Sequence, residues 1–177
     1  MPHTLLAYST TDGQTLRICA RMQAALEAAG HTVTVTEITD GLHCDLQPFD
    51  TVVIGASIRY GKHRPAVLRF IASHQHALEA KPSAFFSVNV VARKPGKDRA
   101  DTNPYVRTLL RKTAWKPTLV GVFAGKIDYP RYGAFDRQVI RLIMWLTHGP
   151  TDPLGTTEFT NWQAVDAFAA QVEVLHK

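Results

Sequence analysis

The residues with most chemistry per position fall in three short stretches. The first, Ser9-Thr10-Thr11-Asp12-Gly13-Gln14-Thr15, places four hydroxyls and one glycine between an apolar run and a segment of helical period. Its backbone N–H groups would stand at a helix N-terminus, where unpaired donors and the helix dipole favour an anion. Hydroxyls donate to a phosphate without adding charge, and four exceed what a helix cap requires. The stretch is neither GxGxxG nor GxxxxGKS/T, so a dinucleotide site and a P-loop are disfavoured and a monophosphate fits better. The second stretch is GASIRYG, from Gly55 to Gly61, and the third is SVNVVARKP, from Ser87 to Pro95. His63 is the nearest candidate general base, though its position reads more readily as an exposed surface histidine. No residue stands out as catalytic. The two cysteines, Cys19 and Cys44, match neither a disulfide framework nor a CxxC pattern, so no metal site is expected and a reducing cytoplasm is the natural setting.

Elements able to position these stretches follow from the pattern of apolar residues. Thr4–Tyr8, His31–Ile38, Asp50–Ile54, Ser83–Val88 and Thr118–Ala124 read as buried strands. Between them, helical period runs from Thr15 to Ala29, with Gly30 as C-cap, and from Pro65 to about Leu78. Asn103 and Pro104 start a further helix through Leu109 and Leu110, and Asn161–Leu175 closes the chain as an amphipathic helix. Such alternation predicts an α/β fold, a doubly wound five-stranded parallel sheet with helices on both faces. Ligands of such sheets bind beyond the carboxyl ends of the strands, where all three stretches would lie. At 177 residues, without repeat, linker or apolar run of about 20, the chain reads as one domain over 1–177, neither secreted nor membrane-spanning.

Charge is distributed unevenly. From Asn89 to His148 twelve Lys and Arg face four acids, net +8, while the rest of the chain sums to −3. Part of this basic middle, about 125–155, reads as an insertion after the fifth strand. In its helical segment Phe135, Val139, Leu142, Ile143 and Leu146 share one face while Arg137, Arg141 and His148 share the other, with Met144 and Trp145 at the boundary. That is the pattern of a helix lying on a membrane surface or closing over an apolar ligand. A basic patch could also meet nucleic acid, but no binding motif accompanies it and no nucleic-acid partner is expected.

The motif SxTxGxT after the first strand, GASIRYG after the third, and the five-strand order resemble the flavodoxin family over nearly the whole chain. The resemblance implies non-covalently bound FMN. Thr10, Thr11, Asp12, Gly13, Gln14 and Thr15 would cradle its phosphate. Ser57, Ile58, Arg59, Tyr60 and Gly61 would run beside the isoalloxazine, with Tyr60 as aromatic wall, and Ser87, Val88 and Asn89 would supply the opposite side. Asp12 stands where flavodoxins usually carry a hydroxyl, and its carboxylate is expected to turn outward. The loop SVNVVARKP lacks the usual second stacking aromatic, which would leave one flavin face open to a bulky planar reactant.

Longer strings, GASIRYGKH, PSAFFSVNVVARKP and DYPRYGAFDRQVIRLIM, with TNW before the last helix, are similar to the flavodoxin-like, menaquinone-dependent protoporphyrinogen IX dehydrogenases of bacterial haem synthesis. This resemblance implies oxidation of protoporphyrinogen IX to protoporphyrin IX with a respiratory quinone, menaquinone or ubiquinone, as acceptor. It also implies a cytoplasmic protein, peripheral on the inner face of the inner membrane and meeting an anionic membrane surface. Arg93, Lys94, Arg131, Arg137, Arg141 and Trp145 are the expected contacts to substrate propionates or lipid headgroups. A homo-oligomer stays open. Carrier flavodoxins are typically acidic, so the basic middle favours the enzyme over an electron carrier; an NAD(P)H:quinone reductase of the same fold is the enzymatic rival.

Overall fold

A computed structural model describes residues 1–175; His176 and Lys177 lie outside the described residues. Five strands, β1 (His3–Ser9), β2 (Thr32–Glu37), β3 (Thr51–Arg59), β5 (Ser83–Val88) and β6 (Leu119–Phe123), form a parallel sheet in the order β2-β1-β3-β5-β6, and the two-residue β4 (Lys62–His63) pairs antiparallel with the end of β3. Alternate residues of the central strands face opposite ways, and both sides are apolar, as a doubly covered sheet demands. Leu5, Ala7, Val52, Ile54 and Phe85 pack against α2 (Pro65–Ser73), α3 (Gln75–Glu79) and α4 (Pro104–Lys112). Leu6, Val53, Ala84 and Phe86 pack against α1 (Gln14–Ala28) and α6 (Trp162–Glu173). On this second side lies Cys19, fully buried, with burial pushing its thiol up to about 12.

One close approach fixes the layer. A Cβ on Gly55 would come within 2.2 Å of Phe86 Cζ, so glycine is what lets the Phe86 ring lie across β3 and meet Phe123 and Phe168. Caps follow the sequence closely: the Asn103 side chain accepts from the Tyr105 and Val106 N–H groups, and that of Asn161 accepts from Ala164.

Two elements differ from expectation. The third strand does not end at Ile54. Gly55, Ala56 and Ser57 stay paired with Phe86, Ser87 and Val88, and Ile58 and Arg59 turn back on His63 and Lys62, so most of GASIRYG is strand and only Tyr60 and Gly61, both at positive φ, make the turn. The helix expected from Pro65 to Leu78 breaks at His74, whose ring nitrogens lie 2.9 Å from Phe70 O and 2.8 Å from Cys44 O, pinning the break to a distant loop.

The insert springs from an antiparallel ribbon of β7 (Lys126–Asp128) and β8 (Thr156–Glu158), in which Asp128 faces Thr156. Between them lie a 3-10 turn at Tyr129–Arg131 and the helix α5 (Ala134–Leu146). The insert has a small core of its own, made by Ile127, Tyr129, Tyr132 and Met144 with Val90, Ile140 and Phe159 against it. Most of the expected apolar face of α5 points away from that core: Phe135 is 77% exposed and Leu142, Ile143 and Leu146 are exposed as well, while Val139 is half-buried; Trp145 at the boundary is 67% exposed. The helix ends in a Schellman turn, His148 at φ 56° and the Gly149 N–H donating to Met144 O at 2.7 Å.

Candidate functional site

Beyond the carboxyl ends of β1, β3 and β5 opens a cleft with a cavity volume of about 170 Å³. Thr10, Asp12 and Gln14 line it from the loop after β1, Ser57 to Gly61 from the β3 end and hairpin tip, and Val88, Asn89, Val90, Val91, Arg93 and Lys94 from β5 and the turn after it. The insert closes one side with Ile140, Ile143 and Met144 of α5 and Thr147 at its C-cap, joined by Tyr132, Lys126 and Ile127.

The loop after β1 is arranged as an anion cradle. Thr10 Oγ1 accepts from the Gly13 N–H at 2.9 Å, and Gly13 at φ 86° turns the chain into α1, whose first-turn N–H groups no side chain caps. Six buried side-chain polar atoms lack a hydrogen-bond partner among the described residues, and four of them are the hydroxyls of Ser9, Thr11, Thr15 and Ser57, gathered at this loop and the neighbouring end of β3. A buried donor left unpaired costs about 1–3 kcal/mol. Four in one place, beside an uncapped helix N-terminus, fit a phosphate whose oxygens accept from all of them. Gln14 contributes its position more than its side chain: Nε2 donates to Glu158 Oε1 and to Thr160 Oγ1, each at 2.9 Å, tying the loop to the segment after the insert.

Asp12 does not turn outward. Its Oδ1 accepts from Arg59 Nη2 at 2.8 Å, and burial pushes its carboxyl above the ordinary value against the pull of Arg59 and Arg131. The arginine cancels the charge that would otherwise repel a phosphate, which is why the carboxylate can face the cleft. Arg59 also lies over the rings of Tyr132 and Tyr60, 5.2 and 5.8 Å from their centroids, and the Tyr60 hydroxyl contacts the carboxylate of Asp136 on α5.

His63 is buried, not exposed. Its Nε2 lies 3.0 Å from Ser87 Oγ, its ring packs edge-on to Phe85, and burial pushes its pKa down to about 4. A neutral imidazole behind the strand holds structure; it does not face the cleft. Ser87 is turned the same way and fully buried, also accepting from Asn89 Nδ2 at 3.1 Å, while Asn89 Oδ1 accepts from the Ala92 N–H and from Asn103 Nδ2. Of the three residues expected opposite the hairpin, Val88 and Asn89 line the cleft and Ser87 braces Asn89 from behind.

The basic candidates separate by what already engages them. Arg93 lines the cleft but donates to Val90 O, Thr147 O and Thr147 Oγ1. Arg137 leaves the expected outer stripe and donates to the carbonyls of Tyr129 and Tyr132, because the inner face of α5 lies over the 3-10 turn whose carbonyls need donors. Lys94 lines the cleft half-buried with no carboxylate engaging its amine among the described residues. Arg131, Arg141 and Trp145 stand exposed on the insert and do not line the cleft, though Arg131 is near enough to act on the Asp12 carboxylate.

Several cleft residues escape the sequence reading, three of them with polar or aromatic side chains that matter most. Tyr105 enters from the first turn of α4, Tyr132 from the insert and Lys126 from β7, so the aromatic missing from SVNVVARKP has counterparts brought from elsewhere in the chain. The clustered aromatics of DYPRYG carry the only local signal for Tyr132. Among the described residues no group of three or more His, Cys, Asp or Glu could hold a metal, and no helix is long and apolar enough to cross a membrane.

Comparison with known proteins agrees with this geometry. The flavodoxin domain family matches residues 5–153. The chain is 44% identical over 177 residues to a Leishmania major protein named protoporphyrinogen IX dehydrogenase [quinone], covering 98% of this chain and 76% of that one. It is 40% identical over 169 residues to the Escherichia coli K12 protein of the same name, covering 96% and 93%. Among solved structures, an archaeal flavodoxin superposes with a TM-score of 0.52 at 15% identity, covering 96% of this chain and 98% of its own; a likeness that distant speaks for the fold alone.

Proposed function

The chain belongs to the flavodoxin domain family, and from that premise we propose that it is one FMN-binding domain that oxidises protoporphyrinogen IX to protoporphyrin IX and passes the electrons to a respiratory quinone. The observation that carries this reading is the likeness along nearly the whole chain to relatives bearing that name, and the cleft has the fittings the reaction needs.

When bound, FMN supplies the two-electron acceptor for the macrocycle's hydrogens and the donor to the quinone. The hydroxyls of Ser9, Thr11, Thr15 and Ser57 and the first-turn N–H groups of α1 would hold its phosphate, with Gly13 shaping the turn. Tyr60 on the hairpin and Val88 and Asn89 across the cleft, all lining it, would hold its ring system. Lys94, engaged by no carboxylate among the described residues, meets a propionate of the substrate, as an exposed arginine such as Arg131 does at the rim. Ile140, Ile143 and Met144 present an apolar wall to the macrocycle and keep water from it.

The outer face of α5 fits the edge of a bilayer. Phe135, Leu142, Trp145 and Leu146, with Leu154 beyond the helix, stand exposed beside Arg141, an apolar face with a cation at its border. A peripheral site on the anionic inner face of the inner membrane brings the cleft to where a lipid-soluble quinone resides.

The test is an anaerobic assay of the FMN-loaded protein with protoporphyrinogen IX, following porphyrin fluorescence with and without a menaquinone analogue. Growth that depends on quinone is expected, together with slow flavin reduction by NADPH. Bound, reducible flavin without any fluorescence growth would overturn the porphyrin assignment. Co-flotation with anionic vesicles, lost in Trp145→Ser/Leu146→Ser, tests the membrane contact; equal flotation of both proteins sinks it.

A further inference from the structure

Three segments far apart in the chain meet at one guanidinium. Arg59 is the last residue of β3, yet its side chain donates to Asp12 of the phosphate loop and lies across the ring of Tyr132 in the insert and that of Tyr60 at the hairpin tip. Its partners are themselves fixed. Tyr132 is 6% exposed, and its hydroxyl accepts from the Asp128 N–H at the head of the β7–β8 ribbon, at 3.1 Å. Tyr60 reaches over to Asp136 in the first turn of α5. The Arg59–Asp12 pair is well shielded, with side chains 20% and 31% exposed, unlike the outer ion pairs such as Arg21–Asp166. All four residues, Asp12, Arg59, Tyr60 and Tyr132, line the cleft. At the other end α5 is anchored independently, by Arg93 on Thr147 O.

Resting on the FMN reading above, we propose that Arg59 is a positioning residue that couples filling of the phosphate loop to seating of the insert over the cleft. A ligand held by the loop hydroxyls fixes the backbone that carries Asp12. Asp12 then holds the guanidinium flat, and the flat guanidinium is the platform on which Tyr132, and with it the insert's small core, rests. Arginine suits the role because one planar group can donate at its edge and stack on its faces, which a lysine ammonium cannot. Coupling of this kind is reciprocal: whatever factor FMN adds to the seating of the insert, the seated insert adds to FMN affinity.

Limited trypsin digestion reads the coupling directly, since Arg131 and Arg141 are exposed cleavage sites inside the insert. FMN affinity is measured alongside by flavin fluorescence quenching. In the unaltered protein saturating FMN is expected to slow insert cleavage at least about fivefold. In Arg59→Met this protection should vanish at saturating FMN, and affinity should fall by a similar factor. Arg59→Lys, which keeps the charge and loses the stack, should recover affinity more than protection. Asp12→Asn, a change of near-equal size on a half-buried loop, carries the same expectation should Arg59→Met fail to fold. Full FMN-dependent protection in either Arg59→Met or Asp12→Asn overturns the proposal, as does an insert in the unaltered protein whose cleavage ignores bound FMN. A protein that binds no FMN at all overturns the cofactor reading as well, which separates the two failures.

Discussion

The sheet body and the insert draw on similar residues and use them in opposite directions. In the body, Leu5, Val53, Ile54, Phe85 and Phe86 are fully buried, each apolar residue spent on one of two cores. In the insert, Ile127, Tyr129, Tyr132 and Met144 hold the fold while Phe135, Leu142, Trp145 and Leu146 face outward. Its interior is aromatic and hydrogen-bonded, with Arg137 closing on backbone carbonyls and the Tyr129 hydroxyl on Pro150 O. The body buries its apolar surface within itself, whereas the insert leaves much of its own exposed.

The sharpest way to break the comparison is to remove the insert. Because Asp128 faces Thr156 across the ribbon, residues 129–155 can be replaced by Asn-Gly, a two-residue turn suited to such a ribbon. Quinone-linked porphyrinogen oxidation should fall at least about 1000-fold, about 4 kcal/mol of activation free energy. The urea unfolding transition of the body should survive, and FMN should still bind, weakened by the coupling factor. Retained turnover would deny the insert its role, and loss of the body's transition would deny the division itself.

Within the body, Gly55→Val should cost about 3 kcal/mol or more, read as a lowered urea midpoint, because its side chain would collide with a ring wedged among other aromatics. His63 sets a pH limit on the same region. The folded state refuses the proton down to about 4 while the unfolded chain takes it near 6.5, so stability is full above pH 6.5, falls as pH drops through that window and levels off below it. The full span is about 3 kcal/mol. His63→Gln should flatten that part of the stability profile; an unchanged slope would show that the histidine is not its source. The smallest effect belongs to the insert. His148→Gly relieves a left-handed residue at the end of α5 and should add about 1 kcal/mol locally, seen as slower tryptic cleavage of the insert with an unchanged body midpoint.

What the sequence discloses follows the same division. In the body, burial and apolar period coincide, so five strands, α1 and the Asn caps at 103 and 161 are legible from residue type alone. GASIRYG misleads because two glycines and a tyrosine suggest a turn, whereas pairing with β5 and β4 carries β3 onward to Arg59. The break at His74 depends on Cys44 O, a contact that no local pattern contains. In the insert, period finds the two faces of α5 but not which is inward, since its inner face is filled by tyrosines, a methionine and an arginine on carbonyls. The phosphate loop is readable because one local segment holds most of its hydroxyls; Tyr105, Lys126 and Tyr132 are not, because only the fold brings them to the cleft.

Cys19 bears on how long such a protein lasts in service. It sits on α1 beneath the sheet, and burial, by pushing its thiol up to about 12, keeps it in the thiol form at neutral pH. Quinones and the peroxide made when reduced flavin meets air both attack thiolates first. Burial therefore acts as chemical armour: this thiol is kept in its least reactive form and out of the reach of oxidants. Durability against its own chemistry comes from the same packing that builds the body.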